Sequence, residues 1–69
     1  MKTKPTLAQI AAQFRCSVYQ VKEQFAKNSR QLQRMADKAR ATGRKVNGFT
    51  FVELTAKANE AEARSLENA

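Results

Sequence analysis

The sequence has no histidine and no tryptophan, one cysteine, one proline, two glycines and less than half as many acidic as basic residues. Each shortage excludes something. Without histidine, and with Cys16 alone, one chain can assemble neither a zinc-type ligand cluster nor a disulfide. The lone thiol fits a reducing, intracellular setting. Catalysis loses its commonest acid–base group, and no pair of carboxylates falls where a cleft is expected. No catalytic constellation can be named, so the chain reads as a non-enzyme without cofactor or evident small-molecule ligand. No run approaches the roughly 18 apolar residues of a membrane span. The basic start, Met1 to Pro5, is not followed by the apolar stretch of a signal peptide. A cytoplasmic location and no membrane partner are the expectation.

With 69 residues the chain makes one domain at most. A core of this size rarely contributes more than about 3–5 kcal/mol, so extra support is expected. Disulfide and metal being excluded, self-association is the remaining stabiliser.

The net charge is +7, and its placement is uneven. Residues 1–46 carry eleven lysines and arginines against two acids, a balance of +9; residues 47–69 carry two against four, or −2. Such a split separates a polyanion-binding part, 1–46, from a C-terminal helical part, 47–69, used for packing or dimerisation. The plain alternative is a basic surface that only confers solubility.

Three helix starts share one chemistry. Thr6, Ser17 and Thr50 are each followed three residues later by Gln9, Gln20 and Glu53, the pattern of a capping box. Cys16 with Val21, and Phe49 with Leu54, add hydrophobic staples. The first helix is expected at about 7–14, apolar through Leu7, Ile10, Ala11 and Phe14. Residues 18–42 continue the helical period through Val18, Val21, Phe25, Leu32, Met35, Ala36 and Ala39. Asn28 falls where an apolar residue is due, which leaves one long helix or two; a break near Lys27-Asn28-Ser29 is the favoured reading. A loop of residues 42–48 follows. Its Asn47-Gly48 pair could turn a small hairpin, although a plain connection to the Thr50 cap is preferred. The last helix is expected at about 51–66, with Phe51, Leu54, Ala58, Ala61 and Ser65 on one seam and Leu66 beside it. The fold class is all-α, a small domain of three or four helices.

Residues 7–26 resemble the helix-turn-helix superfamily, in the manner of a small plasmid- or phage-type regulator. Ile10 and Phe14 would fill the wedge between two crossing helices, with Ala11 allowing close approach and Cys16 as the apolar turn residue. Val21 and Phe25 would pin the second helix back. Two positions depart from the pattern: Arg15 stands where glycine is common, and Gln24 stands near a position that is usually apolar. The resemblance implies a second helix lying in the DNA major groove. Its groove-facing side would be Ser17, Val18, Tyr19, Lys22, Glu23 and Ala26, with Gln20 nearby. Ser17 and Tyr19 would meet phosphates or base edges, Val18 a thymine methyl, Lys22 a guanine edge or phosphate, and Glu23 a cytosine amine. Val18 reads about equally well as a core residue.

Arg30, Arg34 and Lys38 recur every four residues, with Lys27 close by; such a stripe is either a solvated face or a row of phosphate contacts. Lys2 and Lys4 in the N-terminal arm, Arg15 in the turn, and Arg44 and Lys45 in the loop join the candidate phosphate contacts. The seam Phe51, Leu54, Ala58 and Ala61 either packs on Leu32, Met35 and Ala39 of the same chain or pairs with its own copy in a homodimer.

The function these features favour is sequence-specific binding of double-stranded DNA by a dimeric repressor or mobile-element accessory protein. Two other classes compete with it: an RNA-binding helical dimer, and a basic interaction module acting as inhibitor or adaptor on an acidic protein.

Overall fold

The computed structural model describes residues 4–68 and is all-helical, with three helices and no named strand among those residues. They are α1 (Leu7–Gln13), α2 (Val18–Thr42) and α3 (Phe51–Ser65). All three capping boxes form. The Thr6, Ser17 and Thr50 hydroxyls accept from the amides of Gln9, Gln20 and Glu53, whose side chains accept from the cap amides in return.

The α1–α2 connection is a Schellman turn. The Cys16 amide donates to the Ala11 carbonyl at 2.9 Å and the Arg15 amide to that of Ala12 at 3.3 Å. This geometry requires a left-handed residue, and Arg15 supplies it at φ 53°. The strain of an L side chain there makes Arg15→Gly an expected stabilising change of up to about 1 kcal/mol, read as a raised thermal midpoint. Phe14 does not fill the wedge as expected. It is the C-cap of α1, where the chain leaves the helix, and its side chain is 68% exposed. Ile10 and Cys16 pack the crossing instead, with Val18 and Phe25, around the buried Leu7, Ala11 and Val21.

The expected break at Lys27-Asn28-Ser29 is absent: α2 runs unbroken for 25 residues, about 37 Å at 1.5 Å per residue. The polar pair is absorbed locally. Asn28 accepts from the Gln24 amide at 3.1 Å, and Ser29 is buried, accepting from Gln33 at 3.3 Å. Neither glycine nor proline occurs within the segment to interrupt it. Gly43, left-handed at φ 66°, ends the helix.

The loop differs from the preferred plain connection too. Val46 and Phe49 form a single antiparallel bridge, exchanging two hydrogen bonds of 2.9 and 3.0 Å. Asn47 (φ 52°) and Gly48 (φ 84°) are both left-handed, the geometry of a two-residue type I′ turn. The bridge sets Val46 and Phe49 against the core of the α2–α3 hairpin.

These two helices form most of the domain. Small residues face each other, so the backbones approach closely: Ala36 and Ala39 on α2, Ala58 and Ala61 on α3. Leu54, fully buried, packs with Ala36 and Ala39, bordered by Leu32, Met35, Val46 and Phe49. The α3 seam is therefore covered within the chain. Leu54, Ala58 and Ala61 are not available to a second copy, and Phe51 lies at the edge, 37% exposed beside Arg40. Ser65 is half-buried and Leu66 is exposed; the buried residue at this end of α3 is Arg64. Its guanidinium pairs with Glu67 at 2.7 Å, donates to the Pro5 carbonyl, and stands 5.5 Å from the Phe25 ring centre. One side chain thus ties the N-terminal segment, α2 and α3 together.

Two carboxylates hold their charge more firmly than usual. Glu53 is lowered from 4.5 chiefly by the Thr50 amide, and Glu60 by the Lys4 ammonium, 3.0 Å away. A depressed folded pKa means the stabilisation is present above the ordinary value and disappears as pH falls through the folded one. A small loss of helicity is expected on acidification below about pH 4.5, followed by circular dichroism.

Candidate nucleic-acid interface

The outer face of α2 follows from its inner one. Val21, Ser29, Ala36 and Ala39 are buried, so positions half a turn away point to solvent. Tyr19, Glu23, Lys27, Arg30, Arg34 and Lys38 occupy that outer side, and all six are exposed. The candidate base-reading end and the cationic stripe therefore share one surface of one continuous helix, a consequence of the missing break.

Four cations of this face, Lys27, Arg30, Arg34 and Lys38, have no carboxylate within 4.0 Å among the described residues. The two ion pairs among the described residues lie elsewhere, Lys4 with Glu60 and Arg64 with Glu67. Lys4 is thereby directed at α3 rather than at the stripe, and Lys2 lies outside the described residues. Arg15 is exposed in the α1–α2 turn. Arg44 and Lys45 are exposed just past the C-terminal end of α2, near its last turn, and extend the positive surface there.

At the N-terminal end of α2 the expected reading residues separate into groups. Tyr19 is 69% exposed and its hydroxyl donates to Glu23 at 3.4 Å, so the two form one polar unit on the outer face. Lys22 is half-buried beside them. Ser17 and Gln20 are exposed but joined in the capping box at 3.0 and 3.1 Å, so their first duty is to the helix start. Val18 is half-buried and packs against the Leu7–Ala11–Val21 core. Ala26 is half-buried.

The residue that the sequence reading passed over is Arg64, counted there only as a charge. No local signal marks it, because its partners lie far away along the chain. Among the described residues, no group of three potential metal ligands occurs and no helix is long and apolar enough to cross a membrane. Compared with protein-family models, curated proteins and solved structures, the chain matches none of them.

Proposed function

We propose that this protein binds double-stranded DNA through the outer face of α2, in a sequence-specific manner and as a homodimer. The observation that carries the reading is the row of four exposed cations on one rigid helix, unpaired among the described residues and continuous with an exposed Tyr19–Glu23 pair. Unpaired surface cations at such spacing meet a polyanion without first breaking ion pairs, and their counterion release favours binding.

The helix-turn-helix reading takes α1, the Schellman turn and the first two turns of α2. It is supported by the left-handed turn residue and the Ala11–Cys16–Val21 packing. A major groove about 12 Å wide admits a helix but not its whole length of about 37 Å. Tyr19, Glu23 and Lys22 therefore serve as the base-proximal group. Lys27, Arg30, Arg34 and Lys38 serve as backbone contacts that position without specifying. A repressor or mobile-element accessory role is consistent with a small DNA-binding dimer.

The reading is tested by selection from a random duplex pool at about 150 mM salt. An enriched inverted repeat is expected. Binding without enrichment, or a preference for A-form RNA duplex at matched salt, would replace it with an architectural or RNA-directed role. Tyr19→Ala and Lys22→Ala are each expected to flatten the selected motif, at a cost of about 1–3 kcal/mol in discrimination. Tyr19 is exposed, so its truncation leaves the thermal midpoint nearly unchanged.

A further inference from the structure

We infer that the groove between α1 and α2 is the surface on which a second copy of this chain docks. This rests on the dimeric part of the proposed function and gives it a location; it does not depend on DNA being the ligand.

The groove has a volume of about 400 Å³ and is lined by Ile10, Phe14, Cys16, Phe25 and the amides Gln20, Gln24 and Asn28. Ile10, Cys16 and Phe25 border the small Leu7–Ala11–Val21 core, which leaves them only partly buried. Among the described residues, Leu7 and Leu54 are the only large side chains buried completely. A domain this sparsely cored gains from covering Ile10, Phe25 and the exposed Phe14 ring.

Charge identifies the occupant. The chain carries +7 overall, so two copies repel unless they meet where charge is absent. No lysine, arginine, aspartate or glutamate lines this groove. Its polar rim is made of amide side chains, each both donor and acceptor. Gln20 already accepts from the Ser17 amide, and Gln24 donates to Asn28, so the amide nitrogens of Gln20 and Asn28 and the Gln24 oxygen are the groups left for a copy, donors and acceptor together and no charge among them. The outward face of α3 lacks this property: Val52, Ala56 and Ala63 are exposed there, but Glu53, Glu62 and the Lys4–Glu60 ion pair flank them, so a copy docked there meets charged groups. The α1–α2 groove adjoins the cationic face without including it, so a copy docked there leaves Lys27, Arg30, Arg34 and Lys38 open.

The test is sedimentation equilibrium of the full chain up to about 100 µM, without nucleic acid. Wild type is expected to dimerise. Phe14→Glu, Gln24→Glu and Gln24→Lys are each expected to weaken self-association by about tenfold or more. Both side chains are exposed, so the monomer keeps its helicity, checked by circular dichroism. An equimolar mixture of Gln24→Glu and Gln24→Lys is expected to recover dimers, which a general loss of folding would not do. A wild type that stays monomeric across the range overturns the inference. So does dimerisation that all three variants leave unchanged. Arg34→Ala is expected to leave the dimer intact while weakening duplex binding, so failure of this interface and failure of the DNA reading are separable.

Discussion

Replacing Leu54 with alanine is expected to remove most of the stability of the fold. Leu54 is 0% exposed and packs at the centre of the α2–α3 hairpin, against Ala36 and Ala39, in the cluster that Met35 and Phe49 border. Removing a leucine side chain from such a position costs about 2–5 kcal/mol, because the transfer energy is lost and the cavity collapses only in part. A core of this size rarely contributes more than about 3–5 kcal/mol. The neighbours offer little relief, since the facing residues are alanines on helices already in contact and cannot grow into the space. Urea titration followed by helicity is the measurement. A midpoint shift corresponding to less than about 1 kcal/mol would show that the hairpin is not the seat of stability.

The second large effect is on binding. Changing Arg30, Arg34 and Lys38 together to alanine is expected to lower duplex affinity at least about a hundredfold near 150 mM salt, and by the same factor for every sequence tried. Each phosphate contact adds about 0.9 to the slope of log affinity against log salt, so a dimer that loses three contacts per chain, six in all, lowers the slope by roughly 5. All three residues are exposed, and none is ion-paired among the described residues, so the fold is not called upon to compensate. A sequence-dependent loss would instead place these side chains at base edges. An unchanged slope would remove them from the interface. Arg15→Gly adds a sign test: it is expected to raise stability by relieving the left-handed residue while weakening duplex binding through the loss of one positive charge next to the end of α2 proposed to face DNA.

What was legible in the sequence was local. Thr6, Ser17 and Thr50 declare their helices because a capping box needs only four neighbouring residues. The staples Cys16–Val21 and Phe49–Leu54 are local in the same way, and both pairs pack in the structure. The all-α class follows from those starts and from the apolar period, whereas the sequence leaves three helices or four and favours the break that the structure does not have. The misreadings arise where distant packing decides. Asn28 and Ser29 look like a helix break, but in the fold Ser29 is buried and both side chains bond within α2. Leu54, Ala58 and Ala61 announce a seam, but nothing in their spacing says whether α2 or a second chain covers it. Arg64 is opaque for the same reason, since its guanidinium reaches Pro5, 59 residues away. Phe14 misleads in the opposite direction. Its period places it in the wedge, and the C-cap geometry turns it out. Asn47-Gly48 carried a sound hairpin signal, and the structure realises it as one bridge rather than a pair of strands.

The candidate interface gained from one of these corrections. A broken α2 would have set the cationic stripe on a separate helix with its own direction. The continuous helix aligns Tyr19 and Glu23 with Lys27, Arg30, Arg34 and Lys38, so the groups proposed for recognition and for anchoring belong to one helix. The basic excess of residues 1–46 is thereby given a surface.

The most direct test of that surface is an amide NMR titration of the isotope-labelled chain with a short DNA duplex. Perturbations are expected along the outer face of α2, at Tyr19, Glu23, Lys27, Arg30, Arg34 and Lys38, and at Arg15 in the turn, with the outer face of α3 at Ala56 and Ala63 unmoved. Perturbations centred on α3, or a spectrum that duplex DNA leaves unchanged, would contradict DNA binding through α2.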